Sequence, residues 1–172
     1  MSDKNKNWIL AIAITLAFIS SSAFAETNWS THTIVDDMTD STTTIAFTPT
    51  DDYDGFLTGA MLIAQCSDNG LDVAIKYKGE FFFSDAPLEA EVRFGKGPIE
   101  NIGKWAIATD SSAIMARLNI KKLMENFINE DQFVIRIHPT YGPAVTSKFN
   151  TTGSDELNTI LKACNVGLGW GE

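Results

Sequence analysis

The sequence contains few of the residues from which catalytic and metal centres are built. Its 172 residues include only two cysteines, Cys66 and Cys164, and only two histidines, His32 and His138. A structural zinc site uses four such ligands, and a redox pair uses a Cys-x-x-Cys spacing, whereas these cysteines lie 98 positions apart. A catalytic cysteine would also need one of the two histidines as its base. The composition therefore disfavours both a zinc centre and a thiol active site.

Sequence signatures of other active sites are also missing. Ser111 and Ser112 have no Gly-x-Ser-x-Gly setting, and no triad can be assigned to them. The acidic stretches "DDMTD" and "TPTDDYD" lack the Asp-x-Asp-x-Asp-Gly order of a calcium loop, and we interpret them as solvated turns. Carboxylates are frequent, but their neighbours mark no acid–base pair. We therefore predict a protein that is not an enzyme, with no catalytic residues, metal or cofactor.

The sequence also has no apolar run long enough for an ordinary membrane span, which takes about 20 residues. The longest, "WILAIAITLAFI", has 12 residues, follows Lys4 and Lys6, and precedes "SSAFA". This order predicts a secretory signal peptide over residues 1–25, cleaved after Ala25, with Ala23 as an alternative boundary. An uncleaved membrane anchor is the other interpretation. Because no Leu-x-x-Cys precedes the cleavage site, a lipid anchor is disfavoured. We expect an exported, periplasmic protein.

Basic residues are scarce. Removal of the predicted signal peptide leaves 11 basic and 21 acidic residues in residues 26–172, a net charge of −10. Such a balance argues against nucleic-acid partners and anionic membranes, and its simplest interpretation is solubility. The remaining segment has the length of one domain with a substantial core.

Most of this segment alternates between apolar and polar residues, as half-buried β-strands do. In "LDVAIKY", for example, Val73, Ile75 and Tyr77 share one face. The turn sequences "SDNG" and "TYGP" predict two hairpins. "EFFFSDAP" is predicted as another strand or as a loop that inserts aromatic residues into the core. The other predicted strands are "TTTIAFT", "AMLIAQC", "LEAEVRF", "GKWAIATD", "FVIRIHP" and "AVTSKFN".

Two segments have helical periodicity instead. "NIKKLMENFIN" has an apolar stripe with Asn119 as a candidate N-cap, and "SDELNTILKACN" has a second stripe with Ser154 as a candidate N-cap. The predicted fold is a mainly β, single domain over residues 26–172: an antiparallel β-sandwich of seven to nine strands with two packed helices. We also predict that the aromatic residues Trp29, Trp105 and Phe81–Phe83 lie in its core.

The same patterns place both cysteines on buried faces. Cys66 shares a strand face with Leu62 and Ala64, and Cys164 completes the apolar stripe of the last helix. In an exported protein, two such cysteines most simply form a disulfide. We predict a Cys66–Cys164 bridge that ties the C-terminal helix to the β-core and adds about 4–5 kcal/mol of stability.

Three polar residues are candidates for an interaction surface. Arg93 and Arg136 lie on the polar faces of two predicted strands, and His138 lies at the end of the second strand. The arginines are suited to binding a carboxylate or a partner protein. The alternative is cross-strand ion pairing with Glu89 or Glu91.

The chain resembles a family of exported proteins associated with bacterial type VI secretion systems, the VasI/TagO-like family. The resemblance lies in the order and spacing of several segments over residues 61–165, and "WSTHTIVDDMTDSTTTIAF" resembles the start of the family. It implies a periplasmic accessory protein of a contractile injection apparatus, with no agreed catalytic residues. The "KYKGEFFF" region departs from the family pattern. The resembling segments are "DNGLDVAIKY", "AEVRFGKGP", "KWAIATDSSAIM", "FVIRIHPTYGPAVTSKF", "TTG" and "LKAC".

The leading functional hypothesis is therefore a non-catalytic binding or assembly protein of type VI secretion, whose partner is a component of the cell envelope. The alternative is a periplasmic immunity or inhibitor protein whose acidic surface blocks a basic toxin or hydrolase. A third hypothesis is a cell-wall hydrolase, which zymography on peptidoglycan would test.

Overall fold

A computed structural model describes most of the chain after residue 27. The described residues are 28–52, 59–68, 70–78, 88–101, 104–107, 113–116, 120–139, 142–153 and 155–165. The predicted signal peptide, Phe81–Phe83, Ser111, Ser112 and the candidate caps Asn119 and Ser154 all lie outside these residues.

The elements follow the predicted alternation closely. Nine strands and two helices occur in the described part of the chain, and none of its helices is long and apolar enough to cross a membrane. In chain order they are β1 (Ser30–Val35), β2 (Thr42–Pro49), β3 (Ala60–Ser67), β4 (Gly70–Tyr77), β5 (Leu88–Phe94), β6 (Lys104–Ile107), β7 (Ala113–Ala116), α1 (Ile120–Asn129), β8 (Gln132–His138), β9 (Val145–Asn150) and α2 (Asp155–Ala163).

All nine strands join one antiparallel sheet in the order β1-β2-β3-β4-β7-β6-β5-β8-β9. The sheet curls so that β9, the last strand in this order, meets the end of β2 and the residue that follows it. Thr50 bridges Phe149, and the Thr48 hydroxyl donates to the carbonyl oxygen of Asn150 at 3.1 Å. The prediction of a mainly β, antiparallel domain with two helices is confirmed. The two layers expected of a sandwich are halves of this one curled sheet.

The core lies between these halves and is filled by alternate residues of the strands. Phe133 has no exposed surface, and its ring centroid lies 5.2 Å from that of Phe94, 5.0 Å from Phe127 and 6.0 Å from Phe149. Phe127 belongs to α1, so this aromatic cluster joins α1 to β5, β8 and β9. Trp29 and Trp105 are buried, as predicted.

The predicted disulfide is confirmed. Cys66 and Cys164 are bonded, with their Cα atoms 5.4 Å apart, and the chain has no free cysteine. Cys66 is buried at the end of β3, whereas Cys164 is half-buried and follows the last residue of α2. Both cysteines therefore pack against the core, as the patterns predict, although Cys164 is only partly buried. Apolar side chains of α2, Leu157, Ile160 and Leu161, are buried in the same core.

Two strands were not predicted individually. β1 has no buried residue in any of its six positions, so the alternation that marks a half-buried strand is missing. β7 is four residues long, which is too short for a periodic pattern. Both predicted hairpins, β3–β4 and β8–β9, are present.

Candidate interaction surface

The pairing of β5 with β8 brings the three predicted surface residues to one outward face. Arg93 lies opposite Val134, Glu91 opposite Arg136, and Glu89 opposite His138. The alternate residues of both strands are buried, so these six side chains all project away from the core. We call this set, Glu89, Glu91, Arg93, Val134, Arg136 and His138, the β5–β8 face.

The carboxylate of Glu91 lies close to two of the three predicted residues, Arg136 and His138. The Arg136 Nη1 lies 3.3 Å from the Glu91 Oε2, and the His138 Nε2 lies 3.7 Å from the same oxygen. Arg136 Nε also donates to the Thr146 hydroxyl at 3.3 Å. These side chains are about half exposed, and exposed pairs of this kind contribute less than about 1 kcal/mol. A carboxylate of a ligand can therefore replace Glu91 as the partner of Arg136 at little energetic cost.

Arg93 differs from Arg136 because no ion pair or hydrogen bond engages its side chain within the described residues. Its residue is exposed, and it lies one position along the sheet from the Glu91–Arg136 pair. A guanidinium group presents five N–H donors in a planar arrangement that fits a carboxylate. All the side-chain donors of Arg93 are thus available to a partner.

An exposed apolar residue that no sequence pattern marks lies beside this face. After β5 the chain turns back, and the Val92 and Glu100 backbones exchange hydrogen bonds at 2.9 and 2.8 Å. This return places Ile99, which is 63% exposed, over the sheet. The 2.7 Å ion pair between Lys122 and Glu100 joins the returning segment to α1.

Ile99 separates two shallow clefts. One, of 450 Å³, is lined by acidic residues and His138, and the other, of 240 Å³, is lined by both arginines, Val134 and Thr146. An exposed apolar side chain between charged groups, with arginines close by, is a common arrangement at protein–protein interfaces. The arrangement is suited to binding an acidic or mixed surface of another protein.

A further cleft of 350 Å³ lies where the sheet closes. The exposed pair of Lys148 and Asp51, 3.4 Å apart, lies at its edge, and buried Ser147 and Tyr77 lie within it. Burial raises the pKa of the Tyr77 phenol above its ordinary value. This phenol therefore stays protonated at physiological pH.

The acidic turn after β1 is organised by the carboxylate of Asp36. The Asp36 Oδ1 accepts hydrogen bonds from the backbone N–H groups of Met38 at 2.8 Å and Thr39 at 3.0 Å. These two bonds lower the pKa of Asp36. Within the described residues, no group of three or more His, Cys, Asp or Glu side chains is placed to hold a metal ion.

The fold and surface together define a class: a mainly β, disulfide-bonded domain with one curled antiparallel sheet and a charged outward face. Among solved structures, the domain is similar to the crystal structure of invasion associated protein B from Bartonella henselae. The two share 8% sequence identity with a TM-score of 0.56, over 79% of this chain and 93% of the other. At this identity the similarity shows the fold alone. No protein-family model and no curated protein sequence matches the chain.

Proposed function

We propose that the chain is an exported accessory protein that binds another protein of the cell envelope through its β5–β8 face. The observation that carries this proposal is the exposed guanidinium of Arg93, which has no described partner and lies beside Ile99 and the Glu91–Arg136 pair. A cationic group that is left available on an acidic protein is suited to an acidic patch on a partner.

Export is supported by the disulfide, because such bonds persist in oxidising compartments and are rare in reducing ones. In this proposal residues 1–25 are a signal peptide that is removed after Ala25, and the mature domain works in the periplasm. The lysines at positions 4 and 6 and the apolar run that follows them support this assignment.

The association with type VI secretion rests on the resemblance to the VasI/TagO-like family. It makes the partner a structural component of the secretion apparatus or another envelope protein that assembles with it. The protein then acts by holding its partner, and the proposal includes no chemical step.

The proposal can be tested by complementing a deletion strain and measuring secretion. The double variant Arg93→Glu/Arg136→Glu should fold normally, since both side chains are exposed, but should restore secretion at least tenfold less well than the wild type. Lys121→Glu/Lys162→Glu is the matched control, because it makes the same charge change at exposed helix positions. Full secretion by the β5–β8 double variant would exclude this face as the binding site.

A second candidate is an immunity or inhibitor protein that blocks a basic toxin or hydrolase. The observation that favours it is charge: residues 7–75 contain no lysine or arginine, so the segments that connect β1, β2 and β3 carry Asp residues with no Lys or Arg to offset them. The neighbouring genes distinguish the two candidates. Structural secretion genes favour the accessory role, and an adjacent effector gene whose product this protein inhibits favours the immunity role.

A further inference from the structure

β1 forms one end of the sheet and leaves a strand edge exposed. It pairs with β2 on one side, and no described residue pairs with its other side. All six of its residues are exposed. The opposite end of the sheet is different, because β9 is joined to β2 through the bridge between Phe149 and Thr50. The edge of β1 is thus the sheet edge that stays open in the described structure.

The register identifies the backbone groups that this edge presents. The Asp36 N–H donates to the Ser41 carbonyl oxygen at 2.9 Å, so residues 36 and 41 face each other as a hydrogen-bonded pair. In an antiparallel ladder such pairs recur at every second residue, so Ile34 and His32 also bond to β2. The N–H and C=O groups of the alternate residues, Thr31, Thr33 and Val35, therefore point outward.

This edge lacks the features that normally prevent strand pairing. Proteins protect open edges with charged residues, proline, bulges or very short strands. The sequence of β1, "STHTIV", contains no Lys, Arg, Asp, Glu or Pro, and its pairing with β2 runs without a bulge from Ser30 to Val35. Apolar surface accompanies it: Ile34 is 49% exposed and Val35 is 56% exposed, and Met38 in the adjoining turn is 93% exposed.

The turn next to β1 is ordered by its own hydrogen bonds. Besides the two bonds that the Asp36 carboxylate accepts, the Asp36 carbonyl oxygen accepts from Asp40 N–H at 2.8 Å and from Thr39 N–H at 3.3 Å. The hairpin is therefore preorganised, and an incoming strand would lose only its own conformational freedom on binding.

Charge identifies what the edge would accept. Asp36, Asp37 and Asp40 lie in the turn, and no Lys or Arg occurs anywhere in residues 7–75. A second copy of the chain would bring the same negative charge to this edge, whereas a cationic segment would be attracted to it. We infer that the β1 edge binds an extended, cationic segment of another protein by strand addition, with side chains of that segment packed against Ile34 on one face of the sheet and against Val35 on the other.

This edge is separate from the β5–β8 face, so the inference stands or fails independently of the function proposed for that face. The probe is the synthetic peptide Lys-Lys-Thr-Val-Thr-Val-Thr-Val-Lys-Lys, titrated calorimetrically into the purified, oxidised protein at low salt. Three reference peptides accompany it: one with Glu in place of each Lys, one with every central amide N-methylated, and one with the same composition in scrambled, non-alternating order.

The protein variant that isolates the edge is Thr33→Pro, which removes an outward N–H and leaves the bonds to β2 in place. Thr33→Val is its matched control, because it keeps the N–H and the shape of the side chain. We expect Thr33→Pro to lower the affinity for the Lys peptide about tenfold or more. Thr33→Val should change that affinity by less than about threefold. Arg93→Glu/Arg136→Glu should bind the peptide as the wild type does.

The peptide series keeps the inference testable even if Thr33→Pro does not fold. The Glu peptide and the N-methylated peptide should each bind at least about tenfold more weakly than the Lys peptide. Equal binding of the Lys and Glu peptides, or no binding of the Lys peptide, would overturn the inference. A concentration-dependent dimer that Thr33→Pro abolishes would also overturn it, in favour of pairing between two copies of β1.

Discussion

The disulfide permits the most detailed stability prediction. The change is Cys66→Ala/Cys164→Ala, which opens a loop that spans 98 positions. In the chain-entropy treatment a loop of this length contributes about 4–5 kcal/mol by restricting the unfolded chain. Domains of this size are stable by about 5–15 kcal/mol, so the double variant should lose about a quarter or more of its free energy of unfolding.

The structure also predicts which element opens first when the stability is lowered. Leu157, Ile160 and Leu161 keep α2 in the core by burial, which contributes about 1.5–3 kcal/mol for each side chain. These contacts remain in the double variant, which should stay folded under native conditions where the wild type is stable by more than about 5 kcal/mol. Once the bond to Cys66 is gone, however, α2 can separate from β3 without unfolding the rest of the sheet.

Urea unfolding followed by tryptophan fluorescence measures the global loss, and amide hydrogen exchange measures the opening of α2. Reduction of the wild-type protein is the matched control, because it removes the bond without a substitution and should give a similar loss. A loss below about 1 kcal/mol, or unchanged exchange in α2, would refute the reasoning.

Three further predictions concern the core, the β1–β2 turn and the buried phenol. Phe133→Ala should lower the free energy of unfolding by about 3–5 kcal/mol in urea titrations, and Phe133→Leu by clearly less, because Phe133 is fully buried among other aromatic rings. Asp36→Ala should lower the melting temperature at neutral pH. Because the pKa of Asp36 is lowered in the folded protein, the difference in melting temperature between wild type and variant should vanish as the pH falls through that pKa. A difference that stays constant with pH would contradict this. Stability should also fall above about pH 10, where Tyr77 loses its proton in the unfolded chain but keeps it in the folded protein. Tyr77→Phe should therefore show a shallower decline in melting temperature over this range.

Alternation along the chain was enough to predict most strands and the direction of their side chains. Val73, Ile75 and Tyr77 are all buried on β4, and Arg93 and Arg136 are exposed, as the pattern predicts. A two-residue period depends on local geometry alone, so it can be detected from a single sequence. The disulfide could be predicted for a related reason, because the same patterns and the predicted export favoured joining the two cysteines.

Strand order could not be predicted in this way. β4 pairs with β7 rather than β5, and the sheet closes through Thr50 and Phe149, which lie far apart in sequence. Such contacts depend on which exposed edges meet in three dimensions, and residue patterns within one strand carry no information about this. The sequence therefore predicted two layers but not the continuous sheet that forms them.

The same alternation predicted part of the candidate surface. Arg93, Arg136 and His138 were selected because they lie on polar strand faces, and the β5–β8 register brings them together. Ile99 was missed because it lies in the loop sequence "GKGPIEN", where no periodicity marks it. The one available signal was an isoleucine among glycine, proline and charged residues. Its position over the sheet depends on the backbone pairing of Val92 with Glu100, which the sequence does not show.

The central claim is that the β5–β8 face binds a protein of the secretion apparatus in the cell envelope. Its most direct test places a photo-crosslinking residue at position 93 in living cells, with the same residue at position 121 on α1 as the control. We predict that position 93 captures a defined envelope component of type VI secretion, that position 121 does not, and that Arg136→Glu reduces the crosslink. Absence of a crosslink at position 93, or the same product from both positions, would contradict the account.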